Sequence, residues 1–251
     1  GCWKALAKYN MDAIGDEEPM QRAVAFCQVI EADFKGKRHK VSSKLISEMF
    51  GEVVKAYQDA EKESRLDDSE YDPSLDMICE AQHVDGSMNA GEKESKIAWL
   101  KGDAEGIIPD NHCRILSNVR CLSEGVDIPA LDAVMFLTPR NSQVDVVQSV
   151  GRVMRRAPGK KQGYVILPVV IPAGVSAEEA LNDNEPYRVV WQVLNALRAH
   201  DDRFDAMINK LEYNFRDPSK MEIVAVTDTV QRRSKTTKKA TGKGDYHLGD
   251  T

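Results

Sequence analysis

The sequence predicts an α/β fold: a parallel sheet with helices on both faces, then a C-terminal helical extension and a basic tail. Between Arg22 and Val170, short apolar runs alternate with segments in which apolar residues recur at helical spacing. Strands separated by helices require right-handed crossovers, and these produce a parallel sheet that is covered on both faces. Hydrophobic residues make up 42% of the 251 residues, which is enough for a sizeable core.

Apolar runs predict five strands, and the segments between them predict the helices. The predicted strands are 23–29, 77–84, 114–117, 133–137 and 164–167. Helical spacing predicts helices around 45–57, 89–101 and 146–155, and two more at 176–181 and 186–211. The acidic stretch 60–76 has no apolar pattern and is interpreted as a surface insertion.

Composition shifts divide the chain into four segments. Residues 1–19 are interpreted as a linker from an upstream domain, because the chain opens on Gly1 rather than Met. Residues 20–172 form the α/β domain and residues 173–230 the mainly helical extension. The Lys- and Arg-rich stretch 231–251 is predicted to be a flexible tail, interpreted as a linker more readily than as a DNA-binding arm.

Cysteine and apolar content point to a cytoplasmic protein that is not inserted in a membrane. The five cysteines include no C-x-x-C pair, so we expect reduced thiols and no bound metal. The longest apolar stretch, 164–175, is shorter than the roughly 20 residues of a membrane span. A net charge of −6 argues against a wholly basic nucleic-acid coat but leaves room for a local basic track.

Three polar residues share one stripe of the helix predicted around 146–155. Gln148, Arg152 and Arg155 stand at i, i+4 and i+7, while valines occupy the opposite face. Gly151 borders the stripe and would let a ligand approach closely. Arginine suits phosphate because its planar fork binds two oxygens and stays charged. Spacing alone favours an ordinary solvated face over a phosphate-binding one.

A second motif strengthens the phosphate interpretation. Residues 117–129, Ser-Asn-Val-Arg-Cys-Leu-Ser-Glu-Gly-Val-Asp-Ile-Pro, directly follow a predicted strand. This segment resembles motif V of superfamily 2 helicases, and Gln148-Ser-Val-Gly-Arg-Val-Met-Arg155 resembles their motif VI, Q-x-x-G-R-x-x-R. The two motifs occur in the family's order and at about its spacing. The residues of 117–129 especially resemble those of helicases in prokaryotic restriction-modification or phage-defence systems.

The resemblance spans Arg22 to Val170 and implies the second, C-terminal RecA-like lobe of such a helicase. It implies that Arg155 is the arginine finger on the γ-phosphate and Arg152 its phosphate-binding companion. It also implies that Gly125 and Asp127 lie near the nucleotide's ribose and the lobe interface. Gln148 would connect the helix to the nucleotide or to motif V.

Nucleic-acid contacts are expected from residues at strand ends and loops, which in this family grip phosphates. The candidates in this sequence are Ser87, Asn118, Arg120 and Gln28. Ser87 belongs to Asp85-Gly86-Ser87, a turn that resembles a further family motif. Each of the four residues, taken alone, is explained as well by a capping or surface role.

The sequence lacks the parts that would hold a nucleotide unaided. It contains no G-x-x-x-x-G-K-[ST] phosphate loop, and no apolar strand precedes Asp16-Glu17-Glu18. We therefore expect ATP with Mg²⁺ to be bound mainly by an N-terminal RecA-like lobe of the same polypeptide, with the DNA backbone as the other partner. The alternatives are an RNA helicase lobe and a non-catalytic α/β nucleic-acid-binding module. No G-x-G-x-x-G follows a strand, which argues against a Rossmann cofactor domain.

Overall fold

The computed structural model describes residues 1–8, 18–32, 40–64, 72–102, 107–120, 131–155, 157–198 and 223. Five parallel strands form one sheet in the order β2-β3-β1-β4-β5. The strands are β1 (Arg22–Phe26), β2 (Ile78–His83), β3 (His112–Asn118), β4 (Ala133–Phe136) and β5 (Tyr164–Ile166). The predicted α/β fold with a parallel sheet is therefore confirmed.

Six helices accompany the sheet in the described part of the chain. They are α1 (Cys2–Leu6), α2 (Ser43–Ser64), α3 (Ala90–Lys101), α4 (Gln143–Val153), α5 (Ala177–Asn182) and α6 (Arg188–Arg198). In addition, Pro73–Asp76 forms a short 3-10 helix. No helix among these is long and apolar enough to cross a membrane.

Apolar side chains of the strands point to opposite faces of the sheet and build two cores. On one face, Phe26, Leu116 and Phe136 pack with α3, α4 and α6. On the other face, Ile115 and Met135 pack with α1 and α2. Alternation along a strand dictates this division, because successive side chains leave the pleat in opposite directions. Helices on both faces were predicted, and the structure has them.

Two boundaries differ from the prediction for local reasons. The first strand ends at Phe26 rather than at residue 29, because the N–H groups of Gln28 and Val29 bond the carbonyl of Val41 instead of the sheet. Helix α2 continues to Ser64, so the stretch 60–76 is not simply a surface insertion. Gln58 Nε2 anchors the end of this stretch by donating to the carbonyls of Ser74 (3.0 Å) and Met77 (2.9 Å).

Both flanking segments pack on the α/β domain where they are described. Trp3 and Leu6 of α1 are buried in the second core, so residues 1–8 do more than link the chain to a neighbour. In the extension, Tyr187 donates its hydroxyl to the carbonyl of Phe136 (2.9 Å), and α6 shares the first core with α4. The predicted helix 186–211 is described only as Arg188–Arg198. The basic tail 231–251 lies outside the described residues.

Helix α2 lies so close to β2 that Gly51→Ala is expected to destabilise the fold. A Cβ at Gly51 would stand 2.5 Å from the carbonyl oxygen of Cys79, closer than real contacts allow. Alanine in a helix normally gains about 1 kcal/mol over glycine. Here the forced displacement should outweigh that gain and leave a net loss of about 1–3 kcal/mol in urea unfolding.

The matched control is Gly91→Ala in α3, where the new Cβ would meet Asn89 Oδ1 at an ordinary 3.5 Å. This variant should gain about 0.5 kcal/mol. Equal stabilisation by both substitutions would show that α2 is not pressed against β2.

Candidate functional site

Helix α4 is seated on the sheet by its apolar face. Val146, Val147, Val150 and Val153 are exposed by 1% or less, which matches the predicted inward face. The helix begins at the cap residue Ser142, whose Oγ accepts the N–H of Asp145 (3.2 Å). Such caps satisfy N–H groups that have no partner within the helix, and so define where it starts.

The polar side of α4 is narrower than the sequence suggested. Gln148 and Arg152 are half-buried and lie one turn apart, as predicted, but Gly151 is buried rather than bordering an open stripe. The helix ends at Val153, with Met154 as its cap. The prediction that Arg155 continues the helical stripe at i+7 is therefore wrong.

Arg155 is held just beyond the end of α4. Its backbone N–H bonds the carbonyl of Arg152 (3.3 Å), and the side chain is half-buried. The Lys160 ammonium donates to the carbonyls of Val153 and Arg155 (3.1 Å to Arg155), two groups at the point where the chain leaves the helix. Carbonyls at a helix C-terminus carry partial negative charge, so a cation there favours ending the helix at this point.

The end of α4 lies at the edge of the sheet where the strands begin. Lys160 also bonds the carbonyl of Leu131 (2.5 Å), two residues before β4. A Cβ at Gly163, directly before β5, would clash with the carbonyl oxygen of Val153, so the two backbones are in close contact. Ligands of parallel sheets usually lie at the opposite, carboxyl edge. The candidate phosphate-binding arginines therefore occupy the less usual edge.

A pocket of about 690 Å³ opens at the carboxyl edge of the sheet, by the beginning of α4. It brings together Gln28 and Arg120, two of the predicted nucleic-acid residues, although they are far apart in sequence. Both are exposed. The segment leading into α4 completes the wall with Arg140, Asn141 and Ser142.

Arg140 ties together the loops that form this pocket. Its Nη2 donates to the carbonyls of Val119 (2.7 Å) and Cys27 (3.4 Å), and the guanidinium lies 4.8 Å from the centre of the Phe26 ring. Burial lowers the pKa of Arg140, an effect that the charge of Asp145 opposes. A planar cation with several donors can hold two strand ends while stacking on a ring, as Arg140 does.

The other two predicted nucleic-acid residues occupy different environments. Asn118 is fully buried, and its Nδ2 donates to the carbonyl of Ala25 (3.3 Å). It thus holds β3 against β1 and does not lie on the surface, contrary to the prediction. Ser87 is exposed, but its N–H and hydroxyl both donate to Asp85 (2.8 Å and 2.5 Å). Ser87 therefore acts first as part of the turn that precedes α3.

A buried polar chain supports this edge of the sheet. Ser43 Oγ lies 2.7 Å from His83 Nδ1, and His83 Nε2 lies 2.8 Å from Asp85 Oδ2. The order serine, histidine, aspartate resembles a hydrolase triad. However, Ser43 is entirely buried and also donates to Ser117 Oγ (3.0 Å), so no substrate reaches it. Its role is to join the beginning of α2 to the ends of β2 and β3.

Two predicted site residues lie outside the described part of the chain, and two residues that shape the site were not predicted. Gly125 and Asp127 belong to 121–130, which lie outside the described residues. Sequence reasoning missed Arg140 and Lys160. Each had a usable indication: Arg140 follows a strand and precedes the arginine-bearing helix, and Lys160 is a cation shortly after that helix.

Comparison with known proteins places these features in context. Residues 53–157, which include β3, α4 and Arg155, match the family model for the helicase conserved C-terminal domain. The solved structure of the ATP-dependent Type ISP restriction-modification enzyme LlaBIII bound to DNA is 41% identical, with a TM-score of 0.59. The match covers 87% of this chain and 13% of that enzyme.

Two viral proteins with provisional helicase names are also similar. One, from African swine fever virus, is 33% identical over 90 residues, which are 36% of this chain and 10% of the viral protein. The other, from a Sulfolobus islandicus filamentous virus, is 31% identical over 86 residues, 34% of this chain and 14% of the viral protein. The chain thus spans a small part of the length of the relatives it matches.

The environment of Asp85 predicts an acid-sensitive contribution to stability. Hydrogen bonds from Ser87 and His83 hold the pKa of Asp85 well below its ordinary 3.8. Because the folded pKa is the lower one, the ionised carboxylate stabilises the fold above about pH 4 and loses this effect as the pH falls. Asp85→Asn should lower the free energy of unfolding at pH 7 by about 1–3 kcal/mol.

Urea unfolding at a series of pH values measures this effect. The decline in stability below pH 4 should be shallower in Asp85→Asn than in the unaltered chain. The exposed Asp59 of α2 supplies the control, and Asp59→Asn should leave the decline unchanged. Parallel curves for all three proteins would contradict the assigned hydrogen bonds.

Proposed function

We propose that the chain is the C-terminal RecA-like lobe of a superfamily 2 helicase and that it supplies an arginine finger to an ATP-driven DNA translocase or helicase. The observation that carries this proposal is the fixed position of Arg155. Its backbone is held at the end of α4 by Arg152 and Lys160, next to the beginning of β4. A side chain anchored in this way is placed in advance for a ligand at that edge.

An arginine accelerates phosphoryl transfer by neutralising charge that grows in the transition state. Arg155 would meet the γ-phosphate, and Arg152, one turn back on α4, would contact neighbouring phosphate oxygens. Gln148 lies a further turn back, and Gly125 with Asp127 would complete the nucleotide side of the lobe. Because the guanidinium is planar and stays charged, it can bind two oxygens at once.

The nucleotide itself would be held mainly by an N-terminal RecA-like lobe of the same polypeptide. This sequence has no phosphate loop to hold the β- and γ-phosphates. When bound, Mg²⁺ offsets negative charge on those phosphates. Hydrolysis is therefore assigned to the full-length protein, which we place in the cytoplasm. The likeness to a Type ISP enzyme favours a role in restriction-modification or a related defence system.

DNA would lie along the pocket at the opposite edge of the sheet. Gln28 and Arg120 are exposed there, and Asn141 and Ser142, at the beginning of α4, line the same space. These donors suit phosphate oxygens, which carry no sequence information. Asn118 is buried and is withdrawn from the contacts, while Ser87 remains a candidate through its exposed position. DNA is favoured over RNA because the 41%-identical neighbour was solved bound to DNA.

The strongest rival is a non-catalytic α/β module that binds nucleic acid and uses no ATP. That module would need the pocket at the carboxyl edge but not a fixed arginine at the other edge. The two functions therefore differ in what they require of Arg155, and the first experiment below separates them.

In the full-length protein, Arg155→Ala is expected to reduce kcat for ATP hydrolysis by about 10³–10⁵ while KM for ATP changes only a few-fold. The loss falls on kcat because the guanidinium meets more charge in the transition state than in the ground state. Arg155→Lys should restore little, since one ammonium does not reproduce the fork. Steady-state release of phosphate gives kcat and KM for the unaltered protein, Arg155→Ala and Arg155→Lys.

The exposed Arg188 at the beginning of α6 provides the matched control. Arg188→Ala removes the same type of side chain from an exposed position on α6, and this variant should hydrolyse ATP at the unaltered rate. Normal hydrolysis by Arg155→Ala would exclude the finger and favour the non-catalytic module.

Arg120→Ala should weaken binding to DNA of any sequence, because its proposed partner is a phosphate. Each lost phosphate contact should make the negative slope of log K against log salt shallower by about 0.9. Titration of a labelled duplex at four salt concentrations gives this slope. Arg198→Ala is the control, since that arginine pairs with Glu178 (2.9 Å) at the end of α6.

An unchanged slope in Arg120→Ala would remove Arg120 from the DNA track. Repeating the titration with an RNA duplex of the same sequence addresses the RNA alternative. Tighter binding to RNA, lost when the 2′-hydroxyls are replaced by hydrogen, would overturn the assignment to DNA.

A further inference from the structure

Lys160 lies where three backbone carbonyls converge. Its ammonium is 2.5 Å from the oxygen of Leu131 and 3.1 Å from that of Arg155, and it also bonds the oxygen of Val153. An ammonium has three N–H donors, which equals the number of carbonyls around it. The side chain is half-buried, so these bonds form in a setting partly shielded from water.

The three carbonyls belong to two segments that are separate in sequence, residues 153–155 and Leu131. Val153 is the last residue of α4, and Arg155 is the proposed finger. Leu131 follows directly after 121–130, the stretch that contains Gly125 and Asp127. Lys160 therefore connects Arg155 with Leu131, the residue that follows the stretch containing Gly125 and Asp127.

The Leu131 end of this connection is itself firmly anchored. The neighbouring Asp132 accepts the N–H groups of Gln21 and Arg22 through Oδ2, each at 2.9 Å. These bonds fix the beginning of β4 to the beginning of β1. The bond from Lys160 to Leu131 thus ties the segment that contains Arg155 to the sheet.

The geometry of the turn after Arg155 leaves little freedom for an alternative arrangement. Gly159 has a φ of +76°, which an L side chain rarely adopts, and Lys160 follows it. Three residues later, Gly163 touches the carbonyl of Val153 so closely that no Cβ fits. The chain therefore turns back onto the end of α4 and carries Lys160 to the carbonyls.

We propose that Lys160 is a positioning residue for Arg155: it holds the finger's backbone in register with the sheet and with Leu131. The inference rests on the proposed function, since it concerns how the finger is placed. Displacement of a reacting group by about 1 Å costs on the order of 100-fold in rate, so a fixed backbone matters for hydrolysis. A cation that merely ended the helix would affect stability instead.

The test uses the full-length protein and steady-state hydrolysis of ATP. Lys160→Met removes the ammonium but keeps the length of the side chain. It should lower kcat by about 10- to 100-fold and leave KM for ATP within about 3-fold. Lys161→Met alters the exposed neighbouring lysine and should behave like the unaltered protein. If Lys160→Met does not fold, Lys160→Gln, which retains two donors, takes its place.

A double-mutant cycle with Arg155→Ala separates positioning from a general effect on the fold. If Lys160 acts through Arg155, adding Lys160→Met to Arg155→Ala should change kcat by less than about 2-fold. Multiplication of the two losses would mean that Lys160 acts elsewhere and would overturn the inference. An unaltered kcat in the single variant Lys160→Met would also overturn it.

Hydrogen exchange gives a readout that does not depend on hydrolysis. The amides of Met154 and Arg155 donate to Val150 (3.0 Å) and Arg152 (3.3 Å) and should exchange faster in Lys160→Met than in Lys161→Met. Unchanged exchange there overturns the positioning role whatever the kinetics. Normal hydrolysis by Arg155→Ala, in contrast, would contradict the proposed function. The exchange rates would then still show whether Lys160 holds the backbone of Arg155.

Discussion

The close seating of α4 on the sheet is the constraint on which both candidate surfaces depend. Four valines exposed by 1% or less fix the helix laterally, and contact between Gly163 and the carbonyl of Val153 fixes its far end. The helix runs opposite to the strands, so its beginning lies at their carboxyl edge and its end at the other. Its 11 residues correspond to roughly 16 Å, which is the separation it sets between pocket and finger.

Under the proposed function, the two ends of this one helix meet two different ligands. At the beginning, the cap residue Ser142 and Asp145 line the pocket that contains Gln28 and Arg120. At the end, partly negative carbonyls are neutralised by Lys160, and Arg155 follows. A shift of α4 along its axis would move both ends together. The helix is thus a physical connection between the proposed DNA track and the proposed finger, without any intervening chain of side-chain contacts.

The strands and helices were predictable because periodic apolar residues determine them. The pattern predicted five strands and the inward face of α4, and the motifs of residues 117–129 and 148–155 indicated a resemblance to a helicase lobe from the sequence alone. The predicted ends of β1 and α4 were wrong because a few hydrogen bonds decide where these elements end. Strand β1 ends early because the N–H groups of Gln28 and Val29 bond the carbonyl of Val41. Arg155 lies beyond the end of α4, where Lys160, five residues further along the chain, bonds its carbonyl. Asn118 was misjudged because burial at a strand end depends on neighbouring strands.

The residues that sequence reasoning missed have one physical property in common. Arg140 and Lys160 both bond backbone carbonyls and not side chains: Arg140 those of Val119 and Cys27, and Lys160 those of Leu131, Val153 and Arg155. A carbonyl has the same chemistry at every position, so no residue type in the sequence marks it as a partner. Only the topology of the sheet decides which carbonyls converge, and a cation at that point then holds loops that share no sequence pattern. The position of such a cation after a strand or a helix can be noticed in the sequence, but the carbonyls that it holds together become evident only from the fold.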